Sequence, residues 1–391
     1  MWLALSVSAT AAPLLSAMAG AYTAACTSAG CRVLVAVTEA YNSRSPALIC
    51  SGNRTVELLD KRMVDLDMAP LAVALEESNP FGTVDVSFNN LGAGAAESLR
   101  KLVASDATIT SLDLSQNVFT ESAAQALCAG LKLNRSITEL RLSGNKLGGP
   151  GGMALADLLQ TNSTLQLVHA SNCELDTPAL VALATVLRDN TSLRVLDVSR
   201  PLCKTTMDEP AKHFARMLKV NTALVELDLS KCNMGDLGLQ LIAEETYRAG
   251  LDSQLVVLKV CGNQIQLVDT ACVHALMLLL SSETCRLREL HLGANSLRDD
   301  GALKLAEVVQ KSTKLQFLDV KANAITSRGL CALARAVSFD SAQFHAELQE
   351  LQLWGNRFDS AACLAWIPVL QFLKLDIAVQ EVDNAYHCVR C

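Results

Sequence analysis

The stretch "LRLSGNKL", residues 140–147, decides how this chain of 391 residues is to be read. Leu140 and Leu142 alternate with Arg141 and Ser143, the two-residue period of a strand with one buried face. Asn145 comes three residues after Leu142, where a strand has to turn. Its side-chain amide can satisfy backbone groups that such a turn leaves unpaired. The same phrase recurs as "VDVSFNNL" from Val84, "LDLSQNVF" from Leu112, "VHASNCEL" from Val168 and "LDVSRPLC" from Leu196, each start 28 residues from the next in the series. It continues from Leu227, Leu258, Leu290, Leu318 and Leu351 at steps of 31, 31, 32, 28 and 33. A worn copy, "VELLDKRM", stands 28 residues before Val84 at Val56. Between copies lie segments such as "GGMALADLLQ" and "GALKLAEVVQ", apolar at helical spacing.

Strand, turn and helix thus repeat in units that cannot bury an apolar face alone but can do so by stacking. Strands stack at about 4.8 Å and helices at roughly 8–10 Å, so the stack should curve, with a parallel sheet inside and helices outside. The ladder of turn residues comprises Asn89, Asn117, Asn145, Asn263, Asn295, Asn323 and Asn356, with the small thiols of Cys173 and Cys232 in the same slot. Pro201 alone departs from it. It opens the stretch 200–212, which carries Lys204, Asp208, Glu209 and Pro210 and reads as an irregular loop. Asn134, Asn162, Asn190 and Asn221 close the helices, where asparagine tolerates a left-handed conformation. The first three also read as glycosylation sequons, as does Asn53.

A net charge of −7 without a basic run argues against direct binding of nucleic acid. Fourteen scattered cysteines suit buried thiols better than a disulfide framework. Residues 1–21 form an uncharged apolar lead-in, either a signal segment or a poorly ordered start. A helical cap is expected over 22–55, repeats over 56–373 and a C-terminal cap or tail over 374–391. In that tail His387, Cys388 and Cys391 have the spacing of half a metal site but lack further ligands, so an exposed, frayed end is expected. "GNKLGGPGGM" is an ordinary strand-to-helix loop, without the ending of a phosphate loop. No Ser or Cys stands beside His169 or His291 in a recognisable catalytic setting. No catalytic residue, cofactor or metal is assigned.

The inner face of the sheet remains as the functional candidate. Arg141, His169, Asp228, Lys259, His291 and Asp319 fall in its central row, with Phe317 and Trp354 as apolar flankers suited to anchoring a partner. Binding is expected to centre on Phe317, Asp319 and Trp354, unless the terminal cap folds over Trp354.

These repeats resemble the leucine-rich repeat, L-x-x-L-x-L-x-x-N/C-x-L, in the long form of ribonuclease inhibitor and its relatives. "SRPL", the acidic insert and "HFARMLKVNTALVELDL", with "LWGNRF" and "VDNAYH" near the end, are similar to the family of leucine-rich repeat-containing protein 34. The resemblance implies an α/β leucine-rich-repeat solenoid, a right-handed horseshoe with its parallel sheet concave. It also implies a non-enzymatic scaffold for a protein partner, cytoplasmic, with a nuclear or nucleolar location as a further expectation. Two alternatives stand beside it. One is a small-GTPase regulator like the Ran GTPase-activating proteins, which share the repeat; the other is a secreted or surface recognition domain.

Overall fold

The computed structural model describes residues 11–43, 45–52, 62–203, 206–338, 347–382 and 385–390, and divides after Leu175 into two compact units. The first begins with α1 (Ala11–Ala29), α2 (Val35–Ser43) and β1 (Ala47–Ile49). It continues with α3 (Asp65–Glu77), β2 (Thr83–Asp85), α4 (Ala93–Ser105), β3 (Ser111–Asp113), α5 (Glu121–Leu131), β4 (Glu139–Arg141), α6 (Gly148–Thr161) and β5 (Leu167–His169). Its strands pair in parallel in chain order, so that Leu48, Val84, Leu112, Leu140 and Val168 stand opposite one another in turn. All five are essentially fully buried. Burying each such side chain stabilises the fold by roughly 1.5–3 kcal/mol.

Two boundaries of this unit differ from the sequence expectation. The cap helix α1 starts at Ala11, ahead of Tyr22, and buries Met18, Tyr22 and Cys26, while the Tyr22 hydroxyl accepts the Leu34 N–H at 3.2 Å. The strand beside β2 is Ala47–Ile49, within the span assigned to the cap. "LICSGN", residues 48–53, has the repeat's own pattern, with Leu48 and Cys50 buried and an asparagine at the ladder place. Its step of 36 residues to Val84 concealed it. Val56, Asn53 and residues 1–10 lie outside the described residues.

The second unit runs α7 (Thr177–Val186), β6 (Val195–Asp197), α8 (Asp208–Leu218), β7 (Glu226–Asp228), α9 (Asp236–Ala249), β8 (Val257–Lys259) and α10 (Thr270–Ser281). Then come β9 (Glu289–His291), α11 (Arg298–Lys311), β10 (Phe317–Asp319), α12 (Ser327–Val337), β11 (Glu350–Gln352), α13 (Ser360–Trp366) and β12 (Lys374–Leu375). Strands β6 to β12 again pair in parallel in chain order, which carries the sheet slightly past the expected limit at 373. The expected frayed tail is instead an antiparallel hairpin, β13 (Ile377–Val382) with β14 (Ala385–Arg390), and β14 lies against α13. The fold class is the α/β solenoid that the repeats imply.

The turn after each strand has a backbone requirement that periodicity does not reveal. From the copy at Val84 onward the residue before the ladder position is left-handed: φ is 56° at Phe88 and Gln116, 54° at Asn172, Arg200 and Ala294, and 78° at Gly144. A side chain there costs roughly 1–2 kcal/mol, so the surrounding bonds must hold the turn in place. Asn117 shows how. Its Nδ2 donates to the Val86 and Leu114 carbonyls, both at 3.0 Å, and its Oδ1 accepts the Leu91 N–H at 3.1 Å. Asn89, Asn145, Asn263, Asn295, Asn323 and Asn356 bond in the same way, each to the preceding copy. Cys173 keeps one such contact, Sγ to the Leu142 carbonyl at 3.2 Å, and Cys232 a weaker one to Val198 at 4.0 Å.

Pro201 changes less than its sequence suggests. Arg200 keeps the left-handed turn and its N–H donates to the Ser230 carbonyl at 2.9 Å, so only the side-chain amide is missing. The irregular stretch also ends sooner than 212. Asp208, Glu209 and Pro210 form the first turn of α8, where acidic side chains suit the helix dipole and a missing N–H costs nothing. Lys204 lies outside the described residues.

The helix-end asparagines are not left-handed. Asn162 has φ −86° and ψ 123°, and is needed for its amide: Nδ2 donates to the Leu131 carbonyl at 3.0 Å while Oδ1 accepts the Thr164 and Leu165 N–H groups at 2.8 and 2.9 Å. Asn134 and Asn221 bond alike, and all three are at most 5 % exposed. These residues form a second ladder at the other edge of the repeats. A glycan on a buried Asn134 or Asn162 is incompatible with this packing.

The last turn of the array ends differently. Inside the sheet the N–H after a strand donates to the neighbouring strand's backbone carbonyl, as Leu114 does to Arg141 at 2.8 Å. At the end, Leu353 and Trp354 donate instead to the Asp376 carboxylate at 2.6 and 3.2 Å.

Candidate functional site

From β2 to β11 each strand buries its central leucine or valine on the helix side and, except at Asp319 of β10, leaves the residues before and after it half-exposed on the other face. This open face is where the candidate residues fall. In the first unit Arg141 on β4 stands opposite His169 on β5, and its guanidinium pairs with Glu139 at 2.8 Å. That ion pair holds the Glu139 carboxyl below the usual range. In the second unit Asp228, Lys259, His291 and Asp319 occupy one row across β7 to β10. Lys259 on β8 pairs with Glu226 of the preceding strand β7. Burial, with Asp197 beside it in the same row, pushes the Asp228 carboxyl up.

At the expected centre one candidate, Asp319, differs from expectation. Asp319 is only 5 % exposed, so it is no ready contact for a partner. Its Oδ1 accepts the Lys321 N–H at 2.9 Å, and burial raises its carboxyl. Phe317 is half-buried with its ring 4.6 Å from that of His291. Trp354 borders a cleft of about 520 Å³ whose other wall is Tyr386, His387 and Cys388 of the hairpin, so the C-terminal segment does come up beside it. The expected centre at Phe317, Asp319 and Trp354 is therefore not one exposed patch.

His291 also has a neighbour that the sequence reading did not give it. Cys261, His291 and Asp319 each bring one ligand-type atom, all within 4.8 Å of one another. The Cys261 Sγ is 3.8 Å from Asp319 Oδ2, and His291 Nε2 is 3.4 Å from Glu289 Oε2. Burial, then the Asp319 charge, pushes the Cys261 thiol up to about 11, far from the thiolate a nucleophile requires. Burial lowers the His291 pKa and so favours neutral imidazole. One signal in the sequence pointed here. The place after each strand that reads Ser87, Ser115, Ser143, Ser171, Ser199 and Ser230 becomes Cys261 and then Gly293.

Among the described residues no helix is long and apolar enough to cross a membrane. The model of the family described as Leucine Rich repeat matches residues 105–128, 133–156, 220–243, 285–306 and 311–334. Human leucine-rich repeat-containing protein 34 is 30% identical over 176 residues, 45% of this chain and 36% of that protein; the mouse protein is 30% identical over 180 residues, 46% and 41%. The chain thus matches about two-fifths of the length of these relatives. Ribonuclease inhibitor of Sus scrofa is 28% identical over 163 residues, 41% of this chain and 32% of that protein. Among solved structures, an internalin from Listeria monocytogenes is similar with a TM-score of 0.45 at 16% identity, over 93% of this chain and 95% of that one. With its strand, left-handed turn, asparagine ladder and helix in succession, the chain carries leucine-rich repeats and is similar to ribonuclease inhibitor over part of its length.

Proposed function

We propose that this chain is a non-enzymatic scaffold that takes a protein partner on the open sheet face of its second unit. Leucine-rich repeat proteins typically mediate protein–protein interaction, and that general statement applies here through the repeats. The observation that carries the finer reading is the row Asp228, Lys259 and His291 with Phe317 stacked beside the imidazole. An aromatic anchor bordered by charges of both signs is the composition of a protein interface core and its rim. Burial and the Asp319 charge raise the Cys261 thiol and disfavour its thiolate, which supports binding over nucleophilic chemistry. The location that fits this reading is cytoplasmic or nuclear, in company with other proteins.

The test is quantitative co-purification from the native cell with wild type and the Phe317→Ala/Lys259→Glu variant. The variant should lose the partners that the wild type enriches while its thermal melting stays close to wild type. Retention of every partner by a folded double variant would place the interface elsewhere.

A further inference from the structure

Cys261, His291 and Asp319 come from three consecutive copies, two residues beyond β8, at the end of β9 and at the end of β10. Neighbouring strands alone do not bring Cys261 to Asp319, because β9 lies between them. The gap is opened by Gly293. A Cβ at that position would stand 2.7 Å from Asp319 Oδ2 and 3.0 Å from Oδ1, closer than packing allows. With no side chain there, the Asp319 carboxylate reaches across to the thiol.

We propose that Cys261 Sγ, one ring nitrogen of His291 and Asp319 Oδ2 bind a single divalent ion of the zinc class, with the fourth coordination position open to the sheet face. Zinc bonds of about 2.3 Å to sulfur and 2.0–2.2 Å to oxygen set the two donors about 3.6 Å apart in a tetrahedron. The separation of 3.8 Å between Sγ and Oδ2 already matches such an edge. Thiolate and imidazole donors select against magnesium and calcium, and three protein ligands leave one place for water or a partner's side chain.

The surroundings also suit an ion. Glu289 faces His291 Nε2 at 3.4 Å and the Phe317 ring packs on the imidazole, so the ring is held from two sides. A carboxylate on the second nitrogen is the usual support of a metal-binding histidine. Thiolate and carboxylate together neutralise a dication, which matters at a carboxylate as buried as Asp319. Coordination exchanges the Cys261 S–H proton for the ion and releases that proton to solvent. Lys321, whose Nζ is 3.9 Å from Asp319 Oδ2, swings outward on its flexible stem.

The test uses the full chain stripped with chelator and titrated with Co²⁺, followed by displacement with Zn²⁺. One equivalent should give a thiolate-to-cobalt charge-transfer band that Zn²⁺ abolishes. Cys261→Ser and His291→Gln should each lose the band and weaken zinc binding by more than the about 10–100-fold expected of an outer-shell change. Gly293→Ala, which displaces the carboxylate while leaving thiol and imidazole in place, should weaken it as well. Cys388→Ser and His387→Gln control for the hairpin and should bind as wild type. Circular dichroism and melting of each stripped variant separate loss of ligand from loss of fold. A wild type that yields no stoichiometric band, a band that survives in the folded Cys261→Ser/His291→Gln double variant, or one that disappears in Cys388→Ser would overturn the assignment.

Discussion

From Val84 to Val168 the copies of the first unit step by 28 residues, and the place two residues after each strand reads Ser87, Ser115, Ser143 and Ser171. In the second unit the steps from Leu196 are 31, 31, 32, 28 and 33, and the same place reads Ser199, Ser230, Cys261, Gly293, Lys321 and Trp354. The helix-end ladder changes too. Asn134 and Asn162 in the first unit continue as Asn190 and Asn221, and the same place, six residues before the repeat leucine, then reads Asp252, Thr284 and Ser312. An amide bonds several backbone groups at once, and Leu165 N–H reaches Asn162 at 2.9 Å; Leu315 N–H reaches the Ser312 hydroxyl only at 3.4 Å. The uniform copies put their side chains to work on their own turns and helix ends. The irregular ones relax that stitching, and there the open face gathers thiol, imidazole and aromatic groups.

The contrast is open to direct attack. Asn145→Ala should do the most damage, because it strands the Phe119 N–H in the interior and takes one donor from each of the Leu114 and Leu142 carbonyls, which keep those of Asn117 and Cys173. At roughly 1–3 kcal/mol for a stranded buried group, a loss of about 3 kcal/mol is expected in urea unfolding. Cys173→Ala should cost about 1 kcal/mol, since the S–H is a weak donor to the Leu142 carbonyl. Equal losses at the two sites would mean that the ladder does not hold the turns.

At the other edge, Asn162→Ser should cost about 1–2 kcal/mol, because the hydroxyl cannot span the Leu131 carbonyl and the two N–H groups together. Ser312→Ala should cost less than about 1 kcal/mol, given the single long bond to Leu315. Urea midpoints in the reverse order would break the comparison of the two units at this edge.

The smallest effect is one of sign. The Asp228 carboxyl is raised in the folded chain, so the folded state holds that proton more tightly than the unfolded one. Stability then falls as pH rises from the ordinary carboxylate value of 3.8 through the raised one, and the penalty is fully present at neutral pH. Asp228→Asn keeps an oxygen for the Ser230 N–H, which Asp228 accepts at 2.8 Å, and lacks the charge. It should be equal to or more stable than wild type at pH 7, by under about 1 kcal/mol, with the difference vanishing toward acid. A variant less stable at pH 7 would show that Lys259 compensates the charge more than burial penalises it.

Strands, helices and the asparagine ladder were legible because each is a short-range pattern copied many times. What escaped had no such copy, or lay between copies. The strand Ala47–Ile49 was hidden by its longer step, although Leu48, Cys50 and Asn53 have the right spacing. The terminal hairpin had a signal in two alternating runs around Asp383 and Asn384, but no other copy to compare it with. The approach of Cys261 to Asp319 depends on a side chain that is missing at Gly293, and a pattern of present residues does not display that. Partner-facing exposure was misjudged at Asp319 because strand alternation gives the direction of a side chain, not what later folds against it.

Asp376 governs how such an array can grow. A unit duplicated between Leu112 and Leu167 would bring its own backbone carbonyls and its own asparagine, and the chain on either side would meet the partners it already has. A unit added beyond Leu375 would find the acceptor place for Leu353 and Trp354 taken by a carboxylate. Lengthening by duplication is therefore an interior event in this molecule, and its terminal turn is inherited whole.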